Sequence, residues 1–138
     1  MKVAYNGCFG GFSLSPLALT EFAKKKGLTL FWYNSEGFSP AVYTRIKGVP
    51  EDSIFGSSCF TEDIGDKVTE YPKGSFYHPD FYDDARSDSD LIDVIESLGY
   101  KANGMCADLQ IEEIPDGSSF EITEYDGNES VVPPRQSW

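Results

Sequence analysis

Two stretches of the chain carry apolar side chains at the spacing of an amphipathic helix. The first follows Ser15, a good N-cap, and Pro16, whose missing N–H does no harm at the first helical position. Three lysines and then Gly27 suit its C-terminal end, where cations meet the negative pole of the helix dipole. Its apolar positions are Leu17, Ala18, Phe22 and Ala23. The pattern predicts a helix from Pro16 up to Gly27.

The second helical pattern follows Asp88, which can cap a helix, and has Asp90 in its first turn. Gly99 supplies a stop. The apolar side comprises Leu91, Ile92, Val94, Ile95 and Leu98. The pattern predicts a helix between Asp88 and Gly99.

The other apolar segments are short and rich in β-prone residues. They predict strands at 2–6, 28–33, 41–47, 54–61, 66–69, 106–114, 120–125 and 129–132, with the last two joined as a hairpin through 126–128. Segment 28–33 (LTLFWY) is apolar on both alternating faces, which is typical of a strand covered on both sides or meeting a partner with one face. Segment 71–84 mixes aromatic residues with Pro, Gly and Asp and predicts a structured loop.

The order of these elements predicts the fold class. Strand, helix, several strands, helix and further strands indicate a single α+β domain over residues 1–138, with two helices packed on a mainly antiparallel sheet. A chain of 138 residues is of single-domain size. We expect residues 133–138, which end in Arg135 and Trp138, to form a C-terminal tail that either frays or docks on the domain or a neighbouring subunit.

The formal net charge of −12 narrows the range of partners. Nucleic-acid binding requires a basic face to neutralise phosphates, so we expect no nucleic-acid partner. The scattered acids fit either plain solubility or a surface that imitates DNA towards a basic host protein. Aromatic residues make up 14% of the chain, enough to serve interfaces or to stack on planar ligands as well as fill a core.

Three cysteines at wide spacing predict neither a disulfide framework nor a zinc site. With no long apolar run and no signal-peptide pattern, we expect a soluble, cytoplasmic protein without a membrane partner. Cys8 could be a nucleophile only if His78, the sole histidine, served as its base; otherwise it is a small buried apolar residue. We predict no catalytic residue and no cofactor.

A glycine-rich segment, NGCFGGFSLS at 6–15, lies between the first strand and the first helix. Strand, glycine loop and helix start is an order in which backbone N–H groups converge on an anion, although the segment matches neither the phosphate-loop nor the dinucleotide fingerprint. A tight connector is the alternative interpretation. The predicted ligand-binding residues of this segment are Asn6, Cys8, Phe9, Gly10, Gly11, Phe12, Ser13 and Ser15.

Isolated cations and aromatic residues elsewhere complete the predicted site. Arg86 and Arg135, and in addition Arg45, are candidates to neutralise a phosphate or carboxylate, although Arg86 could simply pair with nearby aspartates. Tyr82, like Phe9 and Phe12, could stack on a base, and Trp138 could join them. An acidic cluster lacks a calcium-loop pattern, so helix capping explains it better than a metal site; it comprises Asp80, Asp83, Asp84, Asp88 and Asp90.

The chain resembles a family of small proteins encoded by tailed bacteriophages. The resemblance lies in YNGCFGGFSLS at 5–15, RSDSDLIDVIESLG from Arg86, ANGMCADLQIEEIPDG at 102–117, EITEYDGNESV at 121–131 and the terminal RQSW, and is weak between about 35 and 80. Members often have Pro at the position of Ser89 and a basic residue near Met105. A charged site at Met105 is therefore not expected here.

The resemblance implies a phage accessory protein that acts inside a bacterium, and small phage proteins often counter host defence. The first hypothesis is a homo-oligomeric sponge that sequesters a nucleotide-derived immune signal, such as a cyclic dinucleotide or an ADP-ribose derivative, with segment 28–33 as a candidate interface. The second is an acidic inhibitor or DNA mimic that binds a host protein. The third is a metal-dependent enzyme that degrades the nucleotide.

Overall fold

The computed structural model describes residues 1–51 and 56–133. Two α-helices are present, α1 (Pro16–Lys25) and α2 (Ser89–Leu98), together with 3₁₀ helices at Asp83–Ser87 and Gly99–Ala102. The strands are β1 (Lys2–Asn6), β2 (Phe31–Glu36), β3 (Val42–Arg45), β4 (Ser57–Phe60), β5 (Lys67–Val68), β6 (Leu109–Glu113), β7 (Glu121–Tyr125) and β8 (Asn128–Val132). The prediction of an α+β fold is confirmed.

Among the described residues all strand pairs are antiparallel, but they form three small sheets. β1 pairs with β6, β7 pairs with β8, and the other four strands have the order β4-β2-β3-β5. The prediction spoke of one sheet. Because Asn6 N–H donates to the Glu129 carboxylate on β8, at 2.8 Å, a side chain takes the place of a backbone ladder between β1 and the hairpin.

The main core lies where the two helices pack against β1. Its buried residues come from both α-helices, from the Gly99–Ala102 helix and from β1 and β6, and are Ala4, Ala18, Phe22, Leu91, Ile92, Val94, Ile95, Ala102 and Leu109. Three ion pairs join the C-terminal end of α1 to α2 and its N-cap. Among them, Lys26 pairs with Asp88 at 2.8 Å and with Asp90 at 2.9 Å. Both predicted helices are therefore amphipathic as expected.

A second, aromatic cluster covers one face of the four-stranded sheet. Phe60 makes ring contacts with Tyr33, Tyr43, Tyr71 and Phe76 at centroid distances of 5.0–5.7 Å. On β2 itself Tyr33 is fully buried, and the neighbouring Trp32 donates from its indole to Thr20 on α1. Within the segment 28–33, Trp32 and Tyr33 are thus buried within one chain, and β2 is paired at both edges by β3 and β4.

Several predicted boundaries shift. The chain forms β2 only from Phe31, because Leu28 N–H still closes the end of α1 on Ala23. The strand predicted from residue 106 begins at Leu109, since residues 103–107 turn and Cys106 has a φ of 61°. The start of the strand predicted at 54–61 lies outside the described residues. No helix in the described part of the chain is long and apolar enough to cross a membrane.

Candidate functional site

Asn6 holds the start of the glycine segment with its side chain. Its Nδ2 donates to the carbonyls of Cys8, at 2.6 Å, and Gly127, at 2.8 Å, and its Oδ1 accepts from Asp108 N–H at 2.8 Å. The side chain is fully buried. Asn6 therefore joins three chain segments, and all three of these hydrogen bonds are internal to the protein rather than offered to a ligand.

The backbone of the glycine segment is covered by the β7–β8 turn. Gly10 N–H donates to Asp126 O at 3.1 Å, and a Cβ on Gly127 would lie only 2.7 Å from Gly10 N. Gly7 N–H is likewise bonded, to Asp108 O at 2.8 Å. The amides at residues 7 and 10 are thus satisfied within the protein, and the face predicted to hold a phosphate lies against the hairpin. The geometry is that of a tight connector.

Arg86 was predicted to face a ligand anion, but its guanidinium is buried against Glu129. Nη1 and Nη2 lie 2.6 and 2.9 Å from the two carboxylate oxygens, and Nε donates to Phe81 O at 2.7 Å. The guanidinium also stacks on the Phe12 ring at 3.8 Å. This planar, two-point pairing uses the guanidinium charge within the protein. The structure thus pairs Arg86 with Glu129 and not with a nearby aspartate, and its role towards a ligand phosphate stays a prediction.

A cleft of about 530 Å³ nevertheless brings five predicted residues together. Those residues are Gly11, Phe12, Ser13, Tyr82 and Arg86. The other charged residues in its wall are Asp80, Glu124 and Glu129, so the cleft is acidic once Arg86 and Glu129 cancel. Tyr82 is 76% exposed and available for stacking. An acidic lining disfavours a phosphate group.

Phe9 lies outside this cleft. It is 58% exposed and meets Tyr125 edge-on at 6.4 Å. Phe12, in contrast, packs against the core through Phe81. Two rings that the sequence treated as equivalent therefore have different surroundings.

Ser15 connects α1 to the Gly99–Ala102 helix. Its hydroxyl accepts from Ala18 N–H at 3.1 Å, as a predicted N-cap should, and donates to Lys101 O at 2.6 Å. Its own N–H donates to Ala102 O at 2.9 Å, next to an isolated bridge between Leu14 and Asn103. The start of α1 is thereby fixed beside Tyr100 and Lys101.

A larger groove, about 850 Å³, lies at this junction. Among the described residues of its wall, Lys101 is the sole cation and Glu51 the sole carboxylate. No carboxylate of the described residues pairs with the Lys101 ammonium. Tyr100 is 81% exposed, and Asn103 carries an amide group. The remaining wall is formed by Ser15, Leu17, Val49, Pro50, Gly104 and Met105.

The groove offers what the acidic cleft lacks. Leu17 N–H belongs to the first turn of α1, where no intrahelical carbonyl accepts, at the positive end of the helix dipole. An ammonium group, a helix start and an exposed aromatic ring together suit an anionic ligand that carries a flat ring. The sequence prediction found Ser15 and missed Tyr100 and Lys101, although a Tyr-Lys pair directly after the helix-ending Gly99 was a visible signal.

The remaining predicted residues have structural partners or are not described. Arg45 pairs with Asp63. The carboxyl pKa of Asp63 is lowered mainly by that guanidinium and to a smaller extent by Gly65 N–H. Cys8 points at Asn6 and Cys106, whereas His78 stacks on Phe76, so the structure does not join Cys8 to its proposed base. Arg135 and Trp138 lie outside the described residues.

Within the acidic cluster, the predicted helix-capping role is confirmed for Asp88. Asp88 caps α2 and, like Asp90, pairs with Lys26; Asp83 accepts from Ile122 N–H at 3.3 Å. Within residues 1–51 and 56–133, no group of three or more histidine, cysteine, aspartate or glutamate side chains is arranged to hold a metal ion. The hypothesis of a metal-dependent enzyme thus has no candidate site in that part of the chain.

No protein-family model, curated protein or solved structure matches the chain.

Proposed function

We propose that the protein binds and sequesters a nucleotide-derived small molecule in the groove beside Ser15, Tyr100 and Lys101. The observation that carries the proposal is that one groove is lined by Lys101, which pairs with no carboxylate of the described residues, by the exposed ring of Tyr100 and by the first turn of α1. In this arrangement Lys101 and the Leu17 amide receive a phosphate, and Tyr100 stacks on the base.

The groove suits such a ligand in size and lining. Its volume of about 850 Å³ lies within the range of small-molecule sites. Leu17, Val49 and Pro50 supply an apolar wall for a ring, and Asn103 can donate from its amide to a ribose or base. Of the ligand-binding residues predicted from the sequence, only Ser15 lines this groove among the described residues, whereas Gly11, Phe12, Ser13, Tyr82 and Arg86 line the acidic cleft.

The biological setting of the proposal rests on the resemblance to tailed-phage proteins. A sponge acting in the bacterial cytoplasm against a host immune signal needs tight binding and no chemistry. The described residues offer a binding groove without an assembled acid–base pair at Lys101. A homo-oligomer stays part of the proposal, because sequestration by several identical sites raises the capacity of each particle.

Binding is tested by calorimetry with a panel of mononucleotides, cyclic dinucleotides and ADP-ribose derivatives. We expect at least one to bind, and Lys101→Ala to weaken it about tenfold or more, as loss of a charge-assisted hydrogen bond implies. Lys73→Ala is the matched control, since Lys73 is also exposed but does not line the groove. Absence of binding by every compound, or equal effects of the two lysine variants, contradicts the proposal.

Sequestration is separated from degradation by recovering the ligand. After incubation with magnesium or manganese and denaturation of the protein, a sponge releases the intact nucleotide, whereas an enzyme releases a product. Native mass spectrometry of the purified protein reports its oligomeric state and any small molecule that remains bound. A monomer that binds its ligand only weakly would argue against a sponge.

One observation favours the acidic inhibitor as a second candidate. Phe9 and Tyr125 form an exposed aromatic pair beside the β7–β8 turn, where Glu124 and Asp126 also lie. Aromatic residues among carboxylates suit a basic protein surface. Salt-sensitive association with a basic host protein, abolished in Phe9→Ser and Tyr125→Ser but unchanged in Lys101→Ala, would favour this function over nucleotide binding.

A further inference from the structure

Cys8 lies just after strand β1, and Cys106 lies just before its partner strand β6. The β1–β6 ladder matches Asn6 with Leu109, and the bond from Gly7 N–H to Asp108 O, 2.8 Å long, continues it by one step. The next residue on one segment is Cys8, and Cys106 lies two residues before Asp108 on the other. Antiparallel pairing therefore delivers two thiols, far apart in the sequence, to one place on the surface.

Contacts at atomic distance support this placement. Cys8 Sγ lies 3.0 Å from the carbonyl oxygen of Cys106. Two residues after Cys8, a Cβ added to Gly10 would lie 2.6 Å from Cys106 Cβ, so the glycine segment and the Cys106 turn are in close contact. Because the Cys8 sulfur already contacts the Cys106 backbone, a disulfide between the two side chains requires only local adjustment of these segments.

Both thiols are accessible, and the third cysteine differs from them. Cys106 is exposed and Cys8 is half-buried, whereas Cys59 is buried. Burial raises the pKa of Cys59 to about 12, which leaves its thiol almost entirely protonated and unreactive. An oxidant dissolved in water therefore meets Cys8 and Cys106 first.

We propose that Cys8 and Cys106 form a reversible intramolecular disulfide. With oxidised glutathione as the oxidant, one cysteine thiolate attacks a glutathione sulfur and displaces one glutathione thiolate. The second cysteine thiolate then attacks the protein sulfur of the mixed disulfide and displaces the other. Two protein thiols each lose a proton and are oxidised, and oxidised glutathione is reduced to two molecules of glutathione.

The bond ties the glycine segment to the turn that leads into β6. It closes a loop that contains most of the chain, including both helices, and so restricts the unfolded state more than the folded one. Met105, next to Cys106, lines the groove, and the bond holds that wall in place. The proposal stands on the cysteine geometry and does not depend on nucleotide binding.

The experiment treats the folded protein with oxidised glutathione, caps free thiols with iodoacetamide and maps the peptides by mass spectrometry. We expect one linked peptide pair that contains Cys8 and Cys106, with Cys59 alkylated after unfolding, and a thermal midpoint higher by several degrees that dithiothreitol reverses. Glutathione adducts at Cys8 or Cys106 without a link, or a link between two chains, would overturn the proposal.

A variant provides the matched comparison. Cys106→Ser changes an exposed side chain and is expected to fold as the wild type does. It should carry glutathione on Cys8 and show no rise in midpoint on oxidation. A rise equal to that of the wild type would show that the stabilisation does not come from this pair.

Discussion

Arg86 and Glu129, 43 residues apart in the chain, form a two-point ion pair in the interior, with oxygen–nitrogen distances of 2.6 and 2.9 Å. The same carboxylate accepts from Asn6 N–H at 2.8 Å. One buried carboxylate thus connects the 3₁₀ helix before α2, strand β1 and the C-terminal hairpin. The network replaces a backbone ladder between β1 and β8, so its loss should separate whole elements.

Glu129→Gln should therefore lower the free energy of unfolding by about 3–5 kcal/mol, because it leaves a buried guanidinium without a counter-charge. Replacing both partners, with Arg86→Met and Glu129→Leu together, should cost less than the sum of the single changes. Urea denaturation measures each value. Lys2→Ala is the control, because its pair with Glu96 is exposed and its loss should hardly move the midpoint. Equal effects at the two ion pairs would contradict the buried network.

Asn6→Ala should lower the free energy of unfolding by at least about 2 kcal/mol, because it leaves Asp108 N–H and the Gly127 carbonyl without their partner. Asn34→Ala, on an exposed position of β2, should have little effect. Hydrogen exchange offers a second measurement: the Asp108 amide should lose its protection in Asn6→Ala. If that amide stayed protected, Asn6 would not be what holds the two segments together.

Gly127→Ala should destabilise the protein more than Gly117→Ala does. Both glycines have positive φ, 87° and 76°, so both substitutions incur the backbone strain of an L-residue there. A methyl group on Gly117 meets nothing within 4 Å, whereas on Gly127 it meets the Gly10 backbone. The difference in urea midpoint between the two variants thus isolates the contact of hairpin and glycine segment. Equal midpoints would mean that the hairpin and the glycine segment move apart at little cost to accommodate the methyl group.

The local elements were readable from the sequence because their causes are local. The Ser15 and Asp88 caps and the apolar stripes of α1 and α2 specify both helices without help from the rest of the chain. The hairpin follows from its Asp-Gly turn in the same way. The resulting α+β class needed no knowledge of which strands pair.

The site was less predictable because its chemistry depends on long-range pairing. The residues around Arg86 in the sequence do not indicate Glu129 as its partner, so the arginine was predicted to be free to bind a ligand anion. The amides of the glycine segment looked open because their cover, Asp126 and Gly127, comes more than a hundred residues later. Tyr100 lines a groove because the hydrogen bond from Ser15 to Lys101 O holds the start of α1 beside it, and this contact joins residues far apart in the sequence.

Asp88 predicts how stability depends on pH. Burial opposes ionisation of its carboxyl, but the Lys26 ammonium and two backbone N–H groups outweigh burial, so its pKa is below the ordinary value of 3.8. A carboxyl whose pKa is lowered by folding adds stability above its unfolded pKa, and that stability is lost as the pH falls through the folded pKa. The pair with Lys26 should therefore stabilise the protein at neutral pH and fade in acid.

Asp88→Asn tests this directly, since asparagine preserves the helix cap but not the charge. The variant should be less stable than the wild type at about pH 7, and the gap should be smaller at about pH 3, because the wild-type carboxyl becomes increasingly protonated as the pH falls towards its lowered pKa. Urea midpoints at the two pH values measure the gap. In a Lys26→Met background Asp88→Asn should change the urea midpoint less, because the ammonium partner of Asp88 is gone. Asp90 also pairs with Lys26, so the change in midpoint for Asp88→Asn in the wild-type background is limited. A gap of the same size at both pH values would show that Asp88 acts through its cap and not through its charge.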